Sequence, residues 1–378
     1  MISIRGKSYN LGISIICRLT CSSLECTNKK EDFLYTHNAS EINNNIYAGF
    51  ILNSKDNVHL QTLAPVFQYC SDEIHFNEGD ILFIEPRGKI TKLYDPLSFT
   101  NSIFLTERCN CHCIMCPQPP KAHDEFDWVE FAIQSIKLMN PCTECIGITG
   151  GEPTLEWSGL LKVIETCSTY LPSTQIQLLT NARVLKDHIK AKELAEIGGG
   201  NLFVSIPLYS DVDSIHDKIC GSKGVFWDCI EGIYNLERYD VDIELRTVII
   251  KDNYRRMTQF AEFIYRNIPF VGNVAFMAME PIGIALKNIK RLWIDPVDYM
   301  SQLSGAIKIL WRRDMGVSIF NHQLCTLPQE LWPLAKKSIS DWKIVYFDEC
   351  ENCKEKESCG GFFFSAEKYR SRAISPIR

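Results

Sequence analysis

The residues with the clearest chemical meaning are three cysteines, Cys109, Cys113 and Cys116, in the run TERCNCHCIMCPQPP. Cysteine thiolates hold iron–sulfur clusters, and a cluster of four irons normally takes four of them. Three thiolates therefore leave one iron open, and an open coordination position distinguishes a catalytic metal site from a closed structural one. Cys111 and His112 lie inside the same run. We interpret both as bystanders, because the spacing of Cys109 and Cys111 is too tight for a zinc site.

A second motif, GGEP, follows a short apolar run at residues 146–148. The apolar run is typical of a buried parallel strand, and Gly150 and Gly151 allow a backbone to approach a ligand closely. The carboxylate of Glu152 can accept hydrogen bonds from an ammonium group, and Pro153 completes the motif. An ordinary strand-to-helix turn is the alternative interpretation. The three-cysteine run that precedes the motif favours a ligand site.

The elements around these motifs alternate between strand and helix. Apolar runs predict further strands at 176–180, 202–207, 243–250 and 274–279. A 3.6-residue periodicity predicts helices at roughly 127–139, 157–169, 185–197, 227–239 and 254–267. We expect a parallel sheet with helices outside it, and ligand groups at the carboxyl ends of the strands. His216 and Asp217 lie near a predicted helix start, where helix capping explains polar residues better than catalysis does.

The three-cysteine spacing followed by GGEP resembles the radical S-adenosylmethionine (radical SAM) superfamily. The resemblance implies an α/β fold, a partial (β/α)6 barrel, and a 4Fe–4S cluster held by the three cysteines. It also implies that the open iron binds S-adenosylmethionine (SAM) and that the reduced cluster splits the sulfonium to give a 5′-deoxyadenosyl radical. In this family the GGEP element, here Gly150, Gly151, Glu152 and Pro153, binds the amino group of the methionine moiety.

The same resemblance implies four further SAM contacts. Asn181 matches the strand-end TN element, Ser205 the position that contacts the ribose, and Arg246 the position that faces the methionine carboxylate, a role that suits the forked donors of arginine. Met115 stands where the superfamily often has an aromatic residue against the adenine, and methionine is adaptable enough to pack there. Without the resemblance, Ser205 would be interpreted as strand filler and Arg246 as the partner of a surface carboxylate.

A second group of cysteines lies near the carboxyl end: Cys325, Cys350, Cys353 and Cys359. Four thiolates can close a complete metal site, and zinc is a common occupant of such sites. The resemblance implies an auxiliary 4Fe–4S cluster instead, because radical SAM enzymes that modify peptides often carry a C-terminal extension of the SPASM type or its shorter twitch form. Electron transfer or anchoring of the substrate would be its role.

Over nearly the whole chain, and best from residue 79 onward, the sequence resembles the radical SAM maturase C family of the His-Xaa-Ser system. Departures are Ala182, where that family favours glycine, and the extra Cys111. The family implies a peptide precursor with His-Xaa-Ser repeats, a companion radical SAM maturase, and a flavodoxin or ferredoxin as reductant. A radical SAM enzyme for a small metabolite and an iron–sulfur electron-transfer protein are the alternatives, although the second would not need GGEP.

Length and local patterns predict three domains within the 378 residues. These are a β-rich N-terminal domain at 1–100, the radical SAM core at 101–290 and a C-terminal auxiliary-cluster extension at 291–378. Short apolar runs between turn residues predict the N-terminal strands, and residues 79–89 predict a hairpin that turns at 86–88. The run that ends at Cys17 is interpreted as a strand, because Arg18 interrupts what would otherwise resemble a signal peptide.

Composition excludes several classes of protein. A formal net charge of −6 argues against a nucleic-acid partner, and no apolar run is long enough to predict a membrane-spanning helix. Seventeen cysteines in so large a chain are not a disulfide framework, and exposed thiolate clusters predict a reducing cytoplasm. Cys142 and Cys145 form another Cys-x2-Cys pair, for which a redox or metal role is the alternative, but no second pair lies nearby in sequence. We expect this pair and Cys167, Cys220 and Cys229 to be buried free thiols.

Overall fold

The structure is a computed structural model that describes residues 3–21, 31–43, 47–55, 62–71, 74–340 and 343–378. The chain divides into two compact units. The first comprises residues 1–104, 126–147 and 162–175, and the second comprises residues 105–125, 148–161 and 176–378. The division into domains at residues 100 and 290 stays a prediction.

The first unit contains a sheet with the strand order β1-β8-β7-β3-β4-β5-β6-β2. Its strands are β1 Ser3–Arg5, β2 Lys7–Tyr9, β3 Ile15–Thr20, β4 Phe33–Thr36, β5 Gly49–Asn53, β6 Val66–Tyr69, β7 Ile81–Glu85 and β8 Lys89–Tyr94. Strands β3 to β6 pair in parallel, whereas β1, β2, β7 and β8 pair antiparallel to their neighbours. The β-rich N-terminal region is confirmed, and so is the strand predicted before Arg18.

The predicted hairpin is also confirmed. Strands β7 and β8 pair with Glu85 opposite Lys89, and the N–H of Gly88 donates to the carbonyl oxygen of Glu85 at 3.0 Å. Gly88 has a φ of +78°, which glycine adopts without steric cost. The same unit contains β9 Ser102–Phe104 and helix α1 Trp128–Leu138, whose N-cap Asp127 accepts from the N–H of Glu130.

From residue 145 onward, strands and helices alternate. The strands are β10 Cys145–Thr149, β11 Gln175–Leu179, β12 Leu202–Pro207, β13 Asp242–Ile249, β14 Asn273–Ala278, β15 Gly316–Phe320, β16 Ala335–Lys336, β17 Ile344–Val345 and β18 Phe362–Phe363. The helices are α2 Trp157–Tyr170, α3 His188–Gly198, α4 Asp213–Cys220, α5 Val225–Arg238, α6 Met257–Asn267, α7 Gly283–Lys287, α8 Ile289–Leu292 and α9 Pro296–Trp311.

Strands β11 to β16 of the second unit pair in parallel, each with the next along the chain. The residues of β13 show how this sheet is built: Ile243, Leu245 and Ile249 are buried, whereas Glu244 and Arg246 of the opposite face are partly exposed. Successive residues of a strand point to opposite faces, so one face packs against helices and the other carries polar side chains.

The α/β fold is confirmed, and the strand order β10 to β16 is open-ended among the described residues, as a partial barrel requires. Each predicted strand and helix between residues 127 and 279 forms, with its ends displaced by a few residues at most. Helix α9 and strand β15 were not predicted. Strand β15 adds to the sheet beside β14, and α9 and β15 both lie within residues 291–378, which sequence analysis assigned to the C-terminal extension. Among the described residues, none of the helices has the length and apolar character needed to span a bilayer.

Candidate functional site

Cys109, Cys113 and Cys116 lie together on an irregular loop within residues 105–125, which we call the cysteine loop, and each is half-buried. The end of helix α4 holds one side of this loop. The N–H groups of His112 and Ile114 donate to the carbonyl oxygens of Cys220 and Ile219, each at 3.0 Å. These carbonyls belong to the last turn of the helix, which has no partners for them within the helix itself.

Helix α7 holds the other side of the cysteine loop. The N–H of Ile284 donates to the carbonyl oxygen of Cys116 at 2.9 Å, and the side-chain amide of Asn288 donates to that of Ile114 at 2.8 Å. Gly283 has a φ of +61°, and a Cβ there would lie 2.3 Å from the carbonyl oxygen of Pro117. Only glycine therefore allows α7 to begin so close to the loop.

Asp124 closes the base of the cysteine loop. Its carboxylate accepts hydrogen bonds from the Thr106 hydroxyl at 2.9 Å, the Glu107 N–H at 2.5 Å and the Arg108 Nε at 2.9 Å. Burial opposes ionisation of Asp124, but these hydrogen bonds outweigh it and lower the pKa of the carboxyl group. The ionised carboxylate thus joins the two ends of the loop.

The three thiols lie close enough to influence one another's ionisation. Burial raises the pKa of Cys109 to about 11, and the charges of Glu152, Cys113 and Cys116 add to that effect. Burial also raises the pKa of Cys116. Cys113 differs, because a hydrogen bond from the thiol of Cys220 lowers its pKa. Three thiols that converge on one half-buried loop match what a cluster with three protein ligands requires.

The two glycines of GGEP pack directly on the backbone of the cysteine loop. A Cβ at Gly151 would lie 2.1 Å from the carbonyl oxygen of Arg108, and a Cβ at Gly150 would lie 2.6 Å from that of Thr106. The N–H of Gly151 donates to the Thr106 carbonyl at 2.6 Å, and that of Glu152 donates to the Arg108 carbonyl at 2.8 Å. From sequence, we expected a ligand to approach these two glycines closely. In the structure, the backbone of the cysteine loop occupies the space beside them.

Glu152 is buried and links the ends of strands β10 and β11. Its Oε1 accepts from the Thr154 N–H at 3.1 Å, the Thr154 hydroxyl at 2.6 Å and the Thr180 hydroxyl at 2.5 Å. Its Oε2 accepts from the N–H of Asn181 at 2.8 Å. Burial raises the pKa of Glu152 even against these hydrogen bonds. Pro153 is buried beside it, at the first position of a short 3₁₀ turn. Sequence analysis missed both threonines, although each lies within or beside a recognised motif.

Asn181 connects the end of β11 to the cysteine loop. Its side-chain amide donates to the Oδ1 of Asn110 at 2.7 Å and approaches the Sγ of Cys111 at 3.5 Å. Arg183 donates to the carbonyl oxygen of Asn110 at 2.9 Å and pairs with Asp228 at 3.1 Å. Cys111 is buried, and burial raises its pKa to about 12. Its position in the apolar layer below the loop differs from the half-buried positions of the three predicted ligands.

Ala182 follows Asn181 in the left-handed region, with a φ of +60°. This conformation has a steric cost for alanine. Glycine, which the His-Xaa-Ser maturase C family favours at this position, would avoid that cost. The turn forms nonetheless, because the N–H of Ala182 donates to the Thr180 hydroxyl at 3.1 Å and helix α5 closes over it at Gly232. This departure from the family pattern therefore leaves the turn in place.

Ser205 and Arg246 meet at a carboxylate that sequence analysis did not identify. The hydroxyl of Ser205 donates to the Oε1 of Glu244 at 3.0 Å, and the Nε of Arg246 pairs with the same oxygen at 2.6 Å. Asn273 donates to the other oxygen of Glu244 at 2.9 Å. The Arg246 guanidinium also lies 5.5 Å from the centre of the Phe320 ring. Alternation along β13 could have indicated Glu244, two residues before Arg246.

Met115 is buried in an apolar cluster beneath the cysteine loop, together with Cys111, Tyr209, Ile219 and Cys220. Cys109 and Cys113 pack against the same cluster. Contact between Met115 and an adenine ring stays a prediction.

Residues 103–264 match the model of the radical SAM superfamily. This part of the chain is therefore similar to the radical SAM superfamily. The cysteine loop, the GGEP segment and strands β11 to β13 all lie within the matched residues.

Two curated proteins match part of this chain. One is an uncharacterized protein of Methanocaldococcus jannaschii, 25% identical over 182 residues, which are 47% of this chain and 61% of that protein. The other is the GTP 3′,8-cyclase of Aquifex aeolicus, 28% identical over 168 residues, which are 43% of this chain and 51% of that protein. The chain thus spans between half and two thirds of the length of these relatives.

A solved structure, anSMEcpe with bound AdoMet, has the same fold. It superposes with a TM-score of 0.50 at 14% sequence identity, over 73% of this chain and 88% of that chain. At this level of identity, the similarity concerns the fold alone.

Beyond the residues that match the family model, the structure brings the four C-terminal cysteines together. Cys325, Cys350, Cys353 and Cys359 line one cavity. Burial raises the pKa of Cys325 and of Cys350, and the charge of Cys359 adds to the shift in both. In sequence, Cys325 lies far from the other three cysteines, so their convergence is a product of the tertiary fold.

The chain's last residues cover this cavity. The N–H of Ile377 donates to the Sγ of Cys353 at 3.4 Å, and Ser375 lines the cavity together with Cys325. Asp295, the N-cap of α9, fixes this segment by accepting from the Ser371 hydroxyl at 2.5 Å and the Arg372 N–H at 3.0 Å. The anchored segment therefore supplies a backbone hydrogen bond to one thiol of the cavity.

The described residues hold no group of three or more His, Cys, Asp or Glu side chains arranged closely enough for a single metal ion. Of the cysteines expected to be buried free thiols, Cys167, Cys220 and Cys229 are buried. The expectation is wrong for Cys142, which is exposed in the turn after α1, and Cys145 is half-buried at the start of β10.

We predict that Gly151→Ala displaces the cysteine loop, because the added Cβ would overlap the Arg108 carbonyl oxygen at 2.1 Å. Overpacking of this kind costs about 1–3 kcal/mol, so urea unfolding should show a loss of that size. Iron bound after anaerobic reconstitution should fall as well.

The matched control is Gly200→Ala, since a Cβ at Gly200 meets nothing within 4 Å. Its unfolding free energy should stay within about 0.5 kcal/mol of the unsubstituted protein. Equal losses in the two variants would contradict the packing role of Gly151.

Proposed function

We propose that this chain is a radical SAM enzyme that cleaves SAM reductively and uses the resulting radical to modify a peptide precursor. The observation that carries the proposal is the convergence of Cys109, Cys113 and Cys116 on one loop that rests on the GGEP segment. Three thiols fit a 4Fe–4S cluster with one open iron. Bound and reduced, that cluster would supply one electron to the sulfonium of SAM.

The protein's own contribution is binding and orientation. The Oε2 of Glu152 accepts one hydrogen bond from the chain, and its second lone pair would accept a hydrogen bond from the SAM amino group. Arg246 uses its Nε for Glu244, and its terminal N–H groups would bind the SAM carboxylate. Ser205 would contact the ribose, and Met115 and Asn181 would line the adenine side. Gly150, Gly151 and Pro153 would keep the GGEP segment against the cysteine loop.

The four C-terminal thiols would hold an auxiliary 4Fe–4S cluster. Their common cavity is lined by Leu324, Tyr346 and Phe362 in addition to the cysteines, so a bound cluster would be largely shielded from water. Burial and hydrogen bonds to the sulfurs are the means by which a protein sets the potential of such a cluster. We propose that it takes up an electron during substrate oxidation or anchors the peptide. Zinc is the alternative occupant.

The peptide substrate and the partners rest on the sequence resemblance to the His-Xaa-Ser maturase C family. We propose a precursor with His-Xaa-Ser repeats, a companion radical SAM maturase, and a flavodoxin or ferredoxin as reductant. The alternative is a small-metabolite substrate, which the similarity to a GTP 3′,8-cyclase over 43% of this chain favours. An electron-transfer protein without SAM is the other alternative.

We predict that Cys113→Ala abolishes SAM cleavage, because a cluster with two protein ligands left is not retained. Anaerobic reconstitution with dithionite, followed by chromatography for 5′-deoxyadenosine and methionine, measures this activity. Cys111→Ala is the matched control, since the Cys111 side chain is buried whereas the three predicted ligands are half-buried, and it should retain cleavage. Equal loss in both variants would mean that the ligands are assigned wrongly.

We predict that Cys353→Ala lowers the iron content of the reconstituted protein by about half, because one of two four-iron clusters is lost. SAM binding by the first cluster should survive, measured as the change that SAM causes in its electron paramagnetic resonance (EPR) signal. Cys167→Ala, another buried cysteine, should keep the full iron content. Zinc in the purified protein, with no loss of iron on substitution, would overturn the auxiliary-cluster assignment.

We predict that a precursor with His-Xaa-Ser repeats binds the reconstituted protein and that GTP does not. Calorimetric titration of both ligands, each with SAM present, separates the peptide from the metabolite alternative. Binding of GTP alone would contradict the peptide assignment while leaving SAM cleavage intact.

A further inference from the structure

Five exposed cations lie on the elements of the second unit that adjoin the cysteine loop. They are Lys218 near the end of α4, Lys251 just after β13, Lys287 at the end of α7, and Lys290 and Arg291 in α8. We call this set the basic surface. The whole chain has a formal net charge of −6, so the basic surface differs in sign from the protein that carries it.

Side-chain contacts join the basic surface into one patch. The Nζ of Lys218 and a terminal nitrogen of Arg291 lie 2.9 Å and 3.3 Å from the same oxygen, the Oδ2 of Asp252. The Nζ of Lys251 donates to the carbonyl oxygen of Lys290 at 3.0 Å. Three elements that are distant in sequence, α4, α8 and the turn after β13, thus bring their cations together.

Asp252 neutralises only part of this positive charge. Within the part of the chain that the structure describes, it is the one carboxylate that forms an ion pair with any of the five cations. Five cations and one carboxylate leave a net charge of +4. Like charges held close together repel one another, so an anionic partner would stabilise the basic surface.

The elements that carry the basic surface also hold the cysteine loop. The carbonyl oxygen of Cys220, two residues after Lys218, accepts from the N–H of His112 at 3.0 Å. The side-chain amide of Asn288, which lies between α7 and α8, donates to the carbonyl oxygen of Ile114 at 2.8 Å. A partner bound to the basic surface would therefore stand beside the loop that presents the three predicted cluster ligands.

Helix α4 is fixed by a buried histidine. His216 is 0% exposed, and its Nδ1 accepts from the N–H of Tyr209 at 3.2 Å. From sequence, we expected His216 and Asp217 to cap a helix start. For His216 this is wrong, because α4 begins at Asp213 and the ring is buried within the helix. Asp217 does cap, by accepting from the Phe226 N–H at the start of α5 at 2.9 Å.

We propose that the basic surface is the docking site of the external reductant, a small one-electron carrier protein with an acidic surface. The inference rests on the proposed function, because it requires a reducible cluster at the cysteine loop. In this step the reduced carrier loses one electron and the cluster gains it, and no atom is transferred. Electron transfer slows steeply with distance, so the carrier must dock beside the loop.

Charge complementarity favours this partner. An acidic carrier is repelled by a chain whose net charge is −6, so a local positive surface is needed to attract and orient it. Complementary charge of this kind raises association rates by roughly tenfold to a thousandfold at low salt. Salt screens exposed charges over about 8 Å at physiological ionic strength, so the attraction acts only where the carrier comes close.

The test compares two reductants of the reconstituted full chain, with 5′-deoxyadenosine as the measured product. One is a plant-type ferredoxin of net negative charge, limiting in concentration and kept reduced by NADPH and its reductase. The other is dithionite, which is small enough to need no docking surface. For the double variant Lys287→Glu and Lys290→Glu, the ferredoxin-driven rate should fall roughly tenfold at low ionic strength, while the dithionite-driven rate stays within about twofold. High ionic strength should remove the difference.

Three further variants separate charge from structure. Lys192→Glu with Lys308→Glu, at exposed positions of α3 and α9, changes the net charge equally and should leave both rates within about twofold. Lys287→Arg with Lys290→Arg keeps the charge and should keep the ferredoxin-driven rate. Asp252→Asn adds a positive charge to the basic surface and should raise that rate, an effect that loss of structure cannot produce.

The proposal is overturned if the two double charge reversals lower the ferredoxin-driven rate equally, or if the loss persists at high ionic strength. Equal losses with ferredoxin and dithionite would also overturn it, because docking does not limit dithionite. Weaker binding of the peptide precursor with an unchanged ferredoxin-driven rate would assign the surface to the precursor instead. If neither reductant yields 5′-deoxyadenosine in the unsubstituted protein, the proposed function itself fails, and the docking site fails with it.

Discussion

The candidate site depends on how an irregular loop is kept in one conformation while it presents three thiols. The cysteine loop has neither helix nor strand to satisfy its own backbone groups, and buried backbone groups must find partners. They find them in the end of α4, the start of α7 and the GGEP segment. Because backbone meets backbone at each of these points, Gly151 and Gly283 leave no room for a side chain. Close backbone contacts therefore fix the loop, together with hydrogen bonds to the Asp124 carboxylate and from the Asn288 amide.

This constraint has an electrostatic consequence. Burial disfavours the thiolate forms that a metal cluster requires, and it raises the pKa of Cys109 to about 11. Loading of a cluster must then remove protons from partly buried thiols, and donors near the sulfurs favour the resulting charge. The N–H of Ile377, which donates to the Sγ of Cys353, is such a donor in the C-terminal group. The predicted ligands of both groups are half-buried.

On the polar face of the sheet, one carboxylate accepts hydrogen bonds from several strands. Glu244 accepts from Ser205, Arg246 and Asn273, which stand on three neighbouring strands. The network pairs the charges of Glu244 and Arg246, and this pairing offsets the cost of their partial burial, since a buried charge is costly unless it is paired. Glu152 likewise joins the end of β10 to that of β11, by accepting hydrogen bonds from Thr180 and Asn181. Both carboxylates hold elements together and leave adjoining donors directed at the candidate SAM position.

The sequence by itself determined the fold class, the order of elements from 127 to 279, and the two groups of thiols, because periodicity and cysteine spacing are local properties of the chain. Tertiary structure alone decided which carboxylate joins Ser205 to Arg246, that Cys325 reaches the cavity of Cys350, Cys353 and Cys359, and that the Cys220 carbonyl meets the N–H of His112. The physical reason is that these contacts join residues distant in sequence. A local pattern carries no information about which strand end or helix end will contact a given residue. Packing of the whole chain decides that contact.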